Sequence, residues 1–138
     1  MIIDSKLLDG LTLEAKASPR LRMNYDLRNS SEDLSQRMLN AMEPGTVVPV
    51  HRHKASSETV VVIRGSIRQN FYDDNGAVTE SIVYQAGGGV SICVVPKGAW
   101  HNSESLESGT IIFEAKDGAY APLEKDDILE AADSRHEA

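Results

Sequence analysis

The sequence predicts an all-β domain, either a closed barrel or two facing antiparallel sheets. Three observations carry that expectation. Short runs rich in β-branched and apolar residues recur from residue 36 onward, as in "TVVVIRG", "VSICVVP" and "GTIIFEAK". Turn residues separate these runs, above all Asn75-Gly76 within "DDNG", the strongest short-range hairpin signal a sequence offers. No helical periodicity is interleaved between them, which disfavours parallel β-α-β units.

Taken in order, the first element is helical. In "IDSKLLDGLTLEAKA", residues 3–17, Ile3, Leu7, Leu8 and Leu11 fall on one helical face, with Asp4 or Ser5 as the cap. Gly10 weakens this helix and Ser18-Pro19 ends it. The Arg-rich stretch "PRLRMNYDLRNSSED" reads as a loop-like link. From residue 36 the period shortens. "SQRMLNAM" is a strand stopped by Pro44-Gly45, "TVVVIRG" a second, and "SIRQNFYDDNGAVTESIVYQ" a hairpin. "VSICVVP" and "GTIIFEAK" complete the set. The ending, "PLEKDDILEAADSRHEA", is polar, with Ile128 and Leu129 as its apolar anchors, and reads as a loosely docked tail. The expected divisions are 1–35 for the helix and link packed on the barrel, 36–123 for the barrel, and 124–138 for the tail.

Length and charge narrow the function. A chain of 138 residues suits one domain with a core of its own. A formal net charge of −7, without a basic patch, excludes ordinary phosphate-backbone binding, so no nucleic acid partner is expected. The amino-terminal "MIIDSKLLDG" resembles neither a signal peptide nor an anchor, and no stretch reaches the ~20 apolar residues of a spanning helix. No membrane partner is expected, and a cytoplasmic location is. Cys93, the single cysteine, excludes an internal disulfide and reads as a small buried hydrophobe.

The chemistry concentrates in "HRHKASSETVVVIRG". On a strand, residues two apart share a face, so His51 and His53 project together while Arg52 faces away. Glu58 opens the next strand after a short turn, and Val60, Val62 and Arg64 share its face if no bulge intervenes. A turn at Pro96 and Gly98 can aim His101 back toward the pair. Three imidazoles and one carboxylate suit a divalent transition metal, whether Fe, Mn, Ni, Cu or Zn. Octahedral coordination would leave two positions open for substrate or dioxygen; a tetrahedral zinc would be closed. His136, in the tail, reads as solvated and without a role.

These spacings are recognisable. Five residues separate Gly45 from His51, one separates His51 from His53, four precede Glu58, and six lie between Glu58 and Gly65. That pattern resembles the first sequence motif of the cupin superfamily at every defined position. The second cupin motif is matched at Pro96, Gly98 and His101, and departed from at Val90 and Ser105, where the family pattern has Gly and Asn. The resemblance implies a cupin double-stranded β-helix, a jelly-roll barrel, with His51, His53, Glu58 and His101 as metal ligands. A narrower resemblance, in "SPRLRMNYDLRNSSEDLSQRMLNAMEPGTVVPVHRH", "WHN" and "GTIIFEAKDGAYAP", is to the WbuC family of cupin-fold metalloproteins. It implies a place beside surface-polysaccharide biosynthesis, and Arg20, Arg22 and Asn24 folding back toward the barrel as candidate substrate-binding residues.

Other residues take secondary readings. Arg64, on the expected face of Glu58, is the best candidate to hold a substrate anion. Trp100, by alternation, faces away from the metal. If Ile111 and Phe113 fill the core, Glu114 and Lys116 face outward or line a sheet opening, where Glu114 could serve general acid–base work. The expected function is a metal-dependent enzyme, isomerase- or epimerase-like, acting on a small polar or anionic substrate. By resemblance that substrate is a sugar or nucleotide-sugar intermediate. An oxygenase is chemically possible, and no sequence feature selects it. The alternative is a non-catalytic metal-bound sensor or binding module. Cupins often pair through sheet edges, so a homodimer is expected.

Overall fold

The computed structural model describes residues 1–130; the reading of His136 therefore lies outside the described residues. Helix α1 spans Ser5–Ala17. Asp4 caps it, its carboxylate accepting from the Leu7 amide at 3.0 Å. Leu8, Leu11 and Ala15 form its buried stripe. No helix among the described residues is long and apolar enough to cross a membrane.

Eight strands follow: β1 Arg22–Asp26, β2 Ser35–Met42, β3 Glu58–Arg64, β4 Ser66–Tyr72, β5 Val78–Gln85, β6 Ile92–Val95, β7 Trp100–Ser105 and β8 Thr110–Asp117. They form one five-stranded sheet, ordered β1-β2-β8-β3-β6, and one three-stranded sheet, ordered β5-β4-β7. Every strand pairing is antiparallel. The architecture is the all-β double sheet with one short helix that the sequence implies.

Two segments differ from expectation. The Arg-rich link carries β1, because Met23 and Tyr25 alternate with polar neighbours and pack beneath the helix. The described part of the polar tail, residues 124–130, is firmly engaged. His51 bridges His101 of β7 on one side and Ile128 on the other. The Arg52 amide donates to the Asp127 carbonyl at 3.1 Å, and the Leu129 amide to the Val50 carbonyl at 2.9 Å. Residues 50–52 and 127–129 thus extend the smaller sheet beyond β7.

The apolar residues divide into an inner and two outer layers. Met42, Val60, Val62, Ile67, Tyr84 and Ile112 pack between the sheets. Leu39, Ala41 and Ile111 face the other way, onto Leu8, Leu11 and Ala15 of the helix, with Phe113 beside them. Burying each such leucine contributes about 2 kcal/mol. Val50, Tyr72 and Trp100 form a third cluster under Leu129 on the outer face of the smaller sheet. Since Ile111 and Phe113 are taken by the helix, alternation turns Ile112, Glu114 and Lys116 inward. The condition on which the sequence reading rested, Ile111 and Phe113 filling the barrel core, is thus not met: they pack on the helix, and Glu114 and Lys116 face inward.

Candidate metal centre

His51, His53 and His101 converge inside the barrel. Their nearest ring nitrogens lie within 4.8 Å of one another, and the His51 and His101 ring centroids are 4.3 Å apart. The local backbone explains the convergence. His51 and His101 are a mutually hydrogen-bonded pair, His51 N to His101 O at 3.0 Å and His101 N to His51 O at 2.9 Å. Gly98 adopts φ +78°, a left-handed conformation that glycine takes without a Cβ penalty. Its amide donates to the His53 carbonyl at 2.8 Å, tying the turn before β7 to the histidine strand. Trp100, one residue away, faces the outer cluster, where Arg52 lies 4.4 Å over its ring.

The rings are prepared as neutral ligands. His51 Nδ1 lies 2.7 Å from the Pro49 carbonyl, and His101 Nδ1 lies 2.9 Å from that of Ala99. A carbonyl can only accept, so each Nδ1 carries the proton and each Nε2 keeps its lone pair. Burial, aided by the neighbouring His101, pushes His51 down to about 4. Burial lowers His101 as well. Both are therefore uncharged near neutral pH, as metal ligation requires.

Glu58 stands beside this group rather than at its centre. Its Oε2 is 3.3 Å from His53 Nε2 and 3.7 Å from Lys116 Nζ. Burial opposes its ionisation, but the His53 hydrogen bond and the Lys116 charge outweigh burial and hold the carboxyl at about 2. Glu114, two residues before Lys116, behaves oppositely. Burial and the charge of Glu58 push it up to about 8, and it shares hydrogen bonds with Glu58 and Asn40. One carboxyl of this pair is ionised and the other protonated at neutral pH. Alternation from an apolar-looking strand hid Glu114 and Lys116, since either face of β8 could have been the inner one.

The donor set fits a divalent transition metal. Two donors about 2.1 Å from one ion stand about 3 to 3.5 Å apart at tetrahedral or adjacent octahedral angles, so nitrogens within 4.8 Å of one another need to close by no more than about 2 Å, which side-chain rotation supplies. Their type, imidazole with an adjacent carboxylate, is common to Fe, Mn, Ni, Cu and Zn and ranks none of them.

A cleft of about 620 Å³ opens beside His53, with Gln36, Arg52, Lys54, Lys116 and Tyr120 among its walls. The arginines singled out from sequence are elsewhere. A register shift between Val62 and Arg64 turns Arg64 to the helix side, where its Nη1 pairs with Asp9 at 2.7 Å. Arg20 is exposed beyond the end of α1. Arg22 and Asn24 lie on edge strand β1, opposite Met42 and Asn40. Through Asn40, Ile112 and Val62, Asn24 is three strands across and four residues along from Glu58, so none of these four lines the cleft. A second acidic trio, Glu124, Asp126 and Asp127, is engaged by Lys54 at 2.7 and 3.1 Å and by Arg52 at 3.5 Å. The Cys93 thiol, raised by burial, packs against the inner core.

The model of a family described as a domain of unknown function, DUF6016, matches residues 3–84. No curated protein matches the chain. Solved structures do, at low identity. An oxalate oxidase in complex with glycolate superposes with a TM-score of 0.62 at 17% identity, covering 78% of this chain and 56% of its own. KdgF from Halomonas sp. gives 0.59 at 14%, covering 75% and 84%. The capsular polysaccharide assembling protein CapF from Staphylococcus aureus gives 0.60 at 22%, covering 76% and 30%. The chain thus spans little over half of that oxalate oxidase and under a third of CapF. At these identities the likeness establishes the fold.

Proposed function

We infer a function for this chain, which belongs to the DUF6016 family and has the cupin fold, from the donors inside its barrel. The proposal is a metal-dependent enzyme of isomerase or epimerase type. Its substrate is a small sugar or nucleotide-sugar intermediate of surface-polysaccharide synthesis. The observation that carries it is the convergence of three imidazoles, two with Nδ1–H tied to backbone carbonyls. The polysaccharide setting is supported by the resemblance to the WbuC family and by the likeness to CapF.

His51, His53 and His101 would hold the metal, with the ionised Glu58 as fourth ligand. Bound there, a divalent ion supplies Lewis acidity that polarises a substrate carbonyl or hydroxyl. Glu114, holding its proton near neutral pH, hydrogen-bonds Glu58 and fixes its orientation. Val60, Val62 and Ile112, buried between the sheets, make the core beyond Glu58 apolar. The cleft beside His53 is the way in for a small polar molecule.

The test has two stages. Elemental analysis of protein purified without chelator should show near-stoichiometric metal, lost in His51→Ala and His101→Ala. Metal-loaded protein incubated with sugar acids, sugar phosphates and nucleotide sugars in D2O should then exchange a carbon-bound proton, read by NMR. Metal without exchange on any of them would favour the non-catalytic binding module. Absence of metal in every preparation would refute the metal reading.

A further inference from the structure

We propose that Lys116 is the anion-binding residue of this centre, and that it fixes a carboxylate of the substrate beside the metal. The inference rests on the metal reading above. It moves the role expected of Arg64 and the link arginines to a residue that no motif includes.

The cations around the cleft differ in what they are paired with. Lys54 reaches Asp126 at 2.7 Å and Asp127 at 3.1 Å. Arg52 lies on the Trp100 ring at 4.4 Å and donates to the Asp126 carbonyl at 3.1 Å. Both are committed to the segment that follows β8. Lys116 Nζ instead sits 3.4 Å from His53 Nε2 and 3.7 Å from Glu58 Oε2. Among the described residues it is the cleft cation whose partners are themselves proposed metal donors.

That pairing has a chemical consequence. With His53 and Glu58 holding a divalent ion, both partners of the ammonium would be engaged elsewhere. The ion also repels the ammonium, because both are positive. Lys116 is only half-buried, its side chain 21% exposed on the cleft wall. Its flexible stem can therefore turn the ammonium into the cleft without crossing the core. There it would stand one side-chain length from the ligands, a positive charge without a direct ion-pair partner. A substrate oxygen anion supplies one.

The surroundings favour a carboxylate over a phosphate. One ammonium offers a single point charge with three donors, without the paired arginine forks that suit phosphate groups. Asp117, Glu124 and Asp127 also line the cleft, and a dianion beside them would meet more repulsion than a monoanion. The substrate class is therefore a small hydroxylated carboxylic acid, such as a sugar acid. Its hydroxyl or carbonyl oxygen would face the metal and its carboxylate would face Lys116.

Cobalt(II)-loaded protein tests this through its visible absorption bands, without any turnover. Acetate, acetamide and inorganic phosphate would be titrated separately at constant ionic strength. Wild type should respond saturably to acetate and not to acetamide. Lys116→Met should weaken acetate binding by about tenfold or more, the usual scale for a hydrogen bond to a charged group. Lys116→Arg, which keeps the charge, should stay near wild type and so separates loss of charge from misfolding. Removing the competing ammonium should also make Lys116→Met bind cobalt(II) several-fold more tightly. Equal acetate affinity in wild type and Lys116→Met would overturn the proposal alone, as would a cobalt affinity that falls. Phosphate binding that exceeds acetate binding and depends on Lys116 would overturn the carboxylate assignment. Failure of wild type to bind cobalt(II) would overturn the metal reading, and this inference with it.

Discussion

Replacing Glu114 with glutamine isolates the proton that the barrel keeps near neutral pH. In the folded protein Glu114 is pushed up to about 8 and Glu58 held at about 2, from an ordinary value of 4.5. At pH 6 the folded pair therefore binds one proton, and the unfolded chain binds almost none. Stability contributed by the raised group is full below pH 4.5 and is lost as pH rises toward 8. For Glu58 the sign is opposite: its contribution is full above 4.5 and is lost as pH falls toward 2. One proton of difference gives a slope of about 1.4 kcal/mol per pH unit. Allowing for incomplete ionisation of the unfolded chain at pH 5, wild type should lose about 2–3 kcal/mol between pH 5 and 7 relative to Glu114→Gln. The assay is urea unfolding of chelator-treated protein at pH 5, 6 and 7. Histidines and surface groups are common to both proteins and cancel in the difference. Parallel stability curves, differing by less than about 0.5 kcal/mol across the window, would show that Glu114 ionises freely and refute the shared-proton reading.

Three further outcomes follow from the geometry. Arg64→Ala should leave metal content unchanged and alter stability by no more than about 1 kcal/mol, because its ion pair with Asp9 is partly exposed; loss of bound metal on elemental analysis would return Arg64 to the site. Gly65→Ala should destabilise by about 3 kcal/mol in urea unfolding. Gly65 has φ +78°, and a Cβ there would stand 2.8 Å from the Thr110 Cα and closer still to its hydroxyl; a variant as stable as wild type would show the turn can relax. We propose a homodimer through the edge strands β5 and β6, where Val83, Ile92 and Val94 are exposed. Light scattering should give twice the chain mass for wild type and the monomer for Ile92→Lys, and a monomeric wild type would refute it.

Much of the site was legible because strand alternation is rigid. His51 and His53 had to share a face, and the Pro96–Gly98 turn had to redirect the chain before His101. The Asn75-Gly76 turn and the Asp4 cap carried their own local chemistry. What failed to show depended on which side of a sheet was inner. The large sheet is apolar on both faces, one covered by α1, so "IIFEAK" could not reveal that Glu114 and Lys116 face Glu58. Arg64 was misplaced by a single register shift, and a one-residue slip reverses every later side chain. Ile128 makes its bridge to His51 only because Val50 and Arg52 offer an edge, a condition set 75 residues before Asp127 in the sequence.

The position of residues 50–52, held between β7 on one side and 127–129 on the other, governs when the centre can exist during biosynthesis. His51 and His101 are joined across a wide sequence separation, and such non-local pairings form late in folding. On the ribosome the histidines of the first motif emerge well before the segment that flanks them. A nascent chain ending before residue 127 would carry all four proposed ligands with one side of residues 50–52 still open. Metal affinity at that stage should be lower than in the finished fold, which delays capture until the barrel can retain the ion. Tight metal binding would then report completed folding, rather than guide the chain toward it.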